Sequence, residues 1–301
     1  MAIVLGQDQY GKAETRVVRI YRDTERHEIR DLNVSTALRG DFAAAYLAGD
    51  QAAVLPTDSQ KNTCFAYAKE RGVGEIEDYA LALAGHFVDD IETVSRAHVG
   101  VDEYRWDRVP VGGSGHAHTF VRAGHEIRTA AVTISAERAV KETWVVSGLR
   151  DLVVLKSTGS EFTGFLKDRY TTLAETTDRI LATALTARWR YATADVPWGE
   201  AFGQVRQLLL ERFAVVHSLA LQQTLWEMGS AVLAARDDIA EIRLSAPNKH
   251  HFLVDLTPFG LDNPGEVFHA DDRPYGLIQC AVTRDGAPPA GPAWEYPAAF
   301  A

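Results

Sequence analysis

The chain has 301 residues, 46% of them hydrophobic, and a formal net charge of −10. That length supports one large or two ordinary cores. The acidic balance argues against a general nucleic-acid binder, because a polyanion would be repelled at long range, although a local basic cluster could still hold a small anion. With only Cys64 and Cys280 there is no disulfide framework to expect, and a four-thiolate zinc site is impossible within one chain. The N-terminus lacks a secretory apolar core, no run reaches the ~18 apolar residues of a membrane span, and the C-terminal YPAAFA carries no peroxisomal address. A cytoplasmic protein that engages neither nucleic acid nor membrane is the expectation.

Taken in order, AETRVVRIYRD (13–23) and HEIRDLNVSTALRG (27–40) alternate as strands about a turn near Asp23–Arg26. A helix follows over TDSQKNTCFAYAKERG (57–72), with Thr57 and Asp58 as N-cap candidates and Gly72 at its end. A second helix covers IEDYALALAGHFVDD (76–90). Strands are expected over TVSRAHVGVDEYRWDRV (93–109) and HAHTFVRAGHEIRTAAVTISA (116–136). VGGSG (111–115) lacks the spacing of a dinucleotide loop.

The same order then recurs. Strands over 142–160 and 179–194 precede a helix over 198–216, in which Phe202, Val205, Leu209, Phe213 and Val216 form one face. A further helix opens at Ser218, a candidate N-cap, and presents Leu221, Leu225, Met228 and Val232. IAEIRLSAP (239–247) and HHFLVDL (250–256) close the pattern as strands. Strand–strand–helix–helix–strand–strand, twice, predicts an α+β protein with antiparallel sheets and helices on one face, divided into domains at 1–136 and 137–301. Free sheet edges of this kind call for a partner, and closure into a barrel by several subunits is one solution.

One stretch breaks the alternation. In SAPNKHHFLVDL (245–256), Asn248, Lys249, His250 and His251 interrupt an apolar strand pattern. They make either a polar turn or a site that handles protons.

Six segments, YGKAETRV (10–17), TDSQKNT (57–63), LKSTGSEFTGFLKDRYTTLAETTDRILAT (155–183), HSLALQQTLWEM (217–228), PNKHHF (247–252) and DRPYGLI (272–278), together resemble the urate oxidase (uricase) family, bacterial type. The resemblance implies two tandem tunnelling-fold domains and a homotetrameric barrel with active sites at subunit interfaces. It also implies oxidation of urate by dioxygen and water, without metal or organic cofactor, to 5-hydroxyisourate and hydrogen peroxide.

It assigns roles to residues that are unremarked on their own. Arg179, otherwise a solvated charge, would grip the purine with its planar fork of donors. Gln222, otherwise a helix-surface amide, would read the opposite edge, helped by the backbone N–H of Leu221. Phe162, otherwise a core aromatic, would be the platform on which the flat substrate stacks. Lys12, Thr57 and His250 would form a proton relay, with Thr57 and Asp58 supplied by a neighbouring subunit. Asn248 would hold dioxygen and later water above the substrate, sharing a strand face with His250 while Lys249 and His251 point away. Between Asp58 and Asn62 the roles stay open.

Two rivals remain at this stage. His116 and His118 in GHAH, with His125 nearby, could bind zinc in a pterin or purine enzyme of the same fold. A purine-binding scaffold without turnover is the other.

Overall fold

A computed structural model describes residues 2–138 and 140–295. The YPAAFA segment read above for an address lies outside them. The chain divides into two compact units: Met1–Gly148 with Arg190–Gly199 and Pro288–Ala301, and Leu149–Trp189 with Glu200–Ala287.

In the first unit, strands β1 (Tyr10–Tyr21) and β2 (Glu28–Gly40) form the expected hairpin. A short helix α1 (Ala43–Ala48), not foreseen in the sequence, leads to α2 (Thr57–Glu70) and α3 (Ile76–Asp89). The expected strand 93–109 is broken at Tyr104–Arg105 into β3 (Val94–Glu103) and β4 (Trp106–Val111). The next is broken likewise into β5 (Ser114–Arg122) and β6 (Ile127–Ser135). β4 and β5 pair only with each other, as a separate antiparallel ribbon. The main order is β1-β2-β3-β6, antiparallel throughout.

Helix α3 lies over β3 and β6, and α2 lies over β1. The side chains of Leu32, Val34, Leu38, Ile76, Leu83, Phe87 and Val99 are fully buried. Every second residue of β2 therefore faces the helices, as period-2 alternation requires.

The second unit holds β8 (Leu181–Tyr191) up to Trp189, most of α4 (Trp198–Val215), α5 (Leu221–Ala235) and β9 (Ile239–Leu253). It also takes the latter part of β7 (Glu142–Lys156). β10 (Phe268–Asp271) and β11 (Leu277–Thr283) complete it; neither was expected as a strand. Sheet order runs β7-β8-β9, with β10 and β11 both antiparallel to β9. Val205 and Leu209 of α4, Leu225, Met228 and Val232 of α5, and Ile242 and Leu244 of β9 are buried. The face read for α5 is thus the one that packs, and so is the middle of the face read for α4, although Val216 lies past the end of that helix and Phe202 is only half-buried. No described helix is long and apolar enough to cross a membrane.

Two expectations are corrected. Ser218 does not cap α5: the helix begins at Leu221 behind an extended Ala220, and the Ser218 hydroxyl instead accepts a hydrogen bond from Thr224. Nor are IAEIRLSAP and HHFLVDL two strands, because β9 runs through the polar knot without a break.

Candidate active site

The first unit places Lys12, Thr57 and Asp58. Lys12 sits on β1 just before a bulge at Ala13–Glu14, where the register to β2 shifts and Glu14 adopts φ 56°. A non-glycine residue held there is costly unless its surroundings fix it; Glu14 N–H donates to Ser35 Oγ at 3.0 Å. Gly11 lets the strand come this close, since a Cβ at that position would lie 1.8 Å from the Thr36 carbonyl oxygen.

The backbone N–H of Lys12 donates to Thr36 Oγ1 at 3.3 Å, and that hydroxyl donates in turn to Gln60 Oε1 at 2.7 Å. Thr36 and Gln60 are both buried. A two-bond chain therefore joins the strand that carries Lys12 to the first turn of α2.

Thr57 is the first residue of α2, not its cap; Pro56 takes that place and no side chain caps the helix. The residue is half-buried, and its hydroxyl is not spent on capping. Asp58 is exposed and held by Lys61 and by Asn62 Nδ2 at 3.0 Å. The Lys61 hydrogen bond and charge, with smaller help from Asn62 and Lys12, keep the Asp58 carboxyl below the usual range.

The second unit gathers Phe162, Arg179, Leu221 and Gln222. The Phe162 backbone exchanges hydrogen bonds with Thr176 at 2.8 and 3.1 Å, and Arg179 N–H donates to Ser160 O at 2.8 Å. This short irregular pairing sets the Arg179 guanidinium carbon 5.2 Å from the Phe162 ring centre. Phe162 is only half-buried and stacks on Phe165 at 4.8 Å and 13°; it is a partly exposed ring rather than a core residue. Arg179 Nε is buried and makes no hydrogen bond. Burial disfavours the guanidinium's charge and lowers its pKa, so a ligand that accepts from it would relieve both costs. Leu221, buried, opens α5, and Gln222 beside it is exposed in the first turn, where helix N–H groups lack intrahelical partners.

Asn248 and His250 lie on β9 where its partner changes. Up to Pro247 the strand pairs with β11, and from His250 with β10. At the hand-over Asn248 N–H donates to Gly276 O at 2.8 Å. The unbroken strand puts Asn248 and His250 on one face, and the His250 ring stacks on Phe252, two residues on, at 5.7 Å.

Three residues whose hydrogen bonds hold the backbone around these candidates were not singled out from the sequence: Thr36, Gln60 and Thr176. Gln60 had a signal, since it precedes Cys64 and Ala68 at helical spacing and all three are buried.

His116 and His118 do lie together on β5, ring centres 4.5 Å apart, with His27 5.8 Å from His118. However, His116 Nδ1 already accepts from His118 N–H at 3.3 Å. Among the described residues no group of three His, Cys, Asp or Glu is placed to hold a metal ion. The zinc alternative has no support.

The uricase family model matches residues 8–133 and 145–279. The uricase of Arthrobacter globiformis is 52% identical over 298 residues, 99% of this chain and 96% of that protein. That of Danio rerio is 37% identical over 281 residues, 91% and 93% of the two chains. The crystal structure of the Arthrobacter globiformis uricase superposes with a TM-score of 0.92, covering 98% of this chain and 100% of that one. A family match through both units, joined to full-length relatives and a full-length structural match, shows that the chain belongs to the uricase family.

Proposed function

We propose that the enzyme oxidises urate on the Phe162–Arg179 platform, with Gln222 and the Leu221 N–H reading the edge of the purine opposite Arg179. Urate oxidase activity follows from the family. The residue assignments rest chiefly on one observation: a half-buried arginine with an unspent, buried Nε beside an aromatic face. A flat anion that accepts hydrogen bonds in its plane fits that pair.

Urate, dioxygen and water yield 5-hydroxyisourate and hydrogen peroxide. Loss of a proton makes bound urate electron-rich enough to reduce dioxygen directly, so the reaction as proposed draws on no metal or organic cofactor. The protein contributes orientation and proton management. Lys12 acts as base, the Thr57 hydroxyl passes the proton because it both donates and accepts, and His250 takes or returns it. Asn248 holds dioxygen, then the water that adds at C5.

Lys12, Thr57 and Asp58 belong to the first unit and the purine-gripping residues to the second. We read the complete site as formed between subunits of a homotetramer, with residues 1–136 and 137–301 as two tunnelling-fold domains whose sheets close into a barrel. A cytoplasmic setting goes with this reading.

The test is to add urate to chelator-treated protein in aerated buffer, following its ultraviolet absorbance and peroxide together. Equal loss and release are expected. Urate that survives unless zinc is added would refute the cofactor-free oxidase. Binding without turnover would leave only a scaffold.

A further inference from the structure

We propose that Asp178 is a positioning residue for the purine-binding half of the site, a role that rests on the assignment of Phe162, Arg179, Leu221 and Gln222 given above. Its carboxylate oxygen Oδ1 accepts from Thr158 Oγ1 at 2.9 Å and from Gly159 N–H at 3.2 Å. Aspartates in turns ordinarily bond their own backbone two residues on; these partners lie 20 and 19 residues away. Asp178 is therefore a tie between two segments rather than a local turn-former.

The tie reaches each purine-binding element. Asp178 directly precedes Arg179, whose N–H bonds Ser160 O, next to the tethered Gly159. The Asp178 carbonyl accepts from Thr176 Oγ1 at 2.7 Å, and Thr176 is the residue whose backbone brackets Phe162. Gly159 O accepts from Ser218 N–H at 2.9 Å, and Glu161 N–H donates to Ser218 O at 2.9 Å, which fixes the approach to Leu221 and Gln222.

Gly159 itself sits at φ 75°. Glycine occupies that region readily and gains no stiffness from it. A side-chain acceptor that holds its N–H supplies what the glycine lacks. One carboxylate thus sets platform, guanidinium and helix start relative to one another, while the guanidinium stays available to a ligand. Errors of an ångström in such a set are costly to recognition and rate.

The test compares Asp178→Ala, Asp178→Asn and Arg179→Gln in the full-length enzyme, reading urate binding without oxygen, steady-state KM and kcat, and melting temperature. Asn keeps an oxygen that accepts both bonds; Ala keeps none. Asp178→Ala is expected to raise the anaerobic Kd and the KM about tenfold or more and to alter kcat much less. Asp178→Asn should recover most of the loss. Binding by Asp178→Ala equal to that of the unaltered chain, with Arg179→Gln impaired, would overturn the positioning role alone. Unimpaired binding by Arg179→Gln would overturn the site assignment and this role with it. Equal losses of binding and of melting temperature in Asp178→Ala and Asp178→Asn would also overturn it, by showing a demand for charge or folding instead of for an acceptor.

Discussion

The Arg179 guanidinium carbon stands 5.2 Å from the Phe162 ring centre, so cation and aromatic face are presented together, as the proposed purine grip requires. Replacing the planar fork with a point charge should matter even though charge is kept. Arg179→Lys is expected to lower kcat/KM about 100-fold or more, since two charge-assisted hydrogen bonds lose their geometry. Phe162→Ala should raise KM by only about 2- to 10-fold. Steady-state kinetics on both variants check the ranking.

Proton transfer and binding should separate in Lys12 and Thr57. Lys12→Met and Thr57→Ala are expected to cut kcat by about 10²- to 10⁴-fold, the usual contribution of a positioned acid or base. Urate affinity measured without oxygen should change little. A variant that lost both equally would place its residue in the purine grip instead.

Thr36 and Gln60 satisfy each other at 2.7 Å in the interior. Gln60→Leu leaves the Thr36 hydroxyl without that acceptor and should cost about 1–3 kcal/mol of stability, whereas adding Thr36→Val should restore much of it. Urea unfolding of the two single variants and the double variant gives the coupling. Because Lys12 N–H bonds the same hydroxyl, kcat should remain depressed in the double variant after its stability has returned.

His98, on β3, is 7% exposed, and burial together with the Arg39 charge lowers its pKa from 6.5 to about 4. The unfolded chain therefore takes up a proton below pH 6.5 that the folded chain refuses. The resulting stabilisation is complete above that pH and is lost as pH falls toward 4, by up to about 3 kcal/mol. Unfolding free energies at pH 7.5 and 5 should show His98→Gln, chosen to keep a polar partner for Thr133, losing less on acidification than the unaltered chain.

Cys64 is 1% exposed, and burial pushes its thiol up to about 12. The thiolate is the reactive form, so a small alkylating reagent at pH 8 should leave Cys64 untouched until the protein opens. Mass spectrometry of a Cys280→Ser variant, before and after denaturant, gives the count.

The alternation of β1, β2 and β9 and the apolar faces of α4 and α5 were readable because burial imposes a period on each. The candidate site residues were not readable that way. Lys12, Arg179 and Gln222 lie at surface-compatible positions where local pattern says nothing, and only similarity to a family singled them out. The break at Tyr104–Arg105 escaped notice because it carries no glycine or proline, whereas the break before β6 does hold a glycine, Gly124 at φ 48°, and that signal was left unread. β10 and β11 escaped because four and seven residues in a turn-rich tail give too little periodicity. Ser218 misled by chemistry: a serine ahead of a helix resembles a cap, but its hydroxyl is taken by Thr224.

β9 changes partner between Pro247 and His250 without losing its own continuity. Each added or deleted residue within that strand would turn every later side chain through half a rotation, carrying His250 to the opposite surface while sparing the fold's outline. The connection from Val254 to Val267, beyond the strand, has no such parity to keep. Length variation should therefore accumulate in that connection, and a frame of fixed count should run from Ile239 to Leu253.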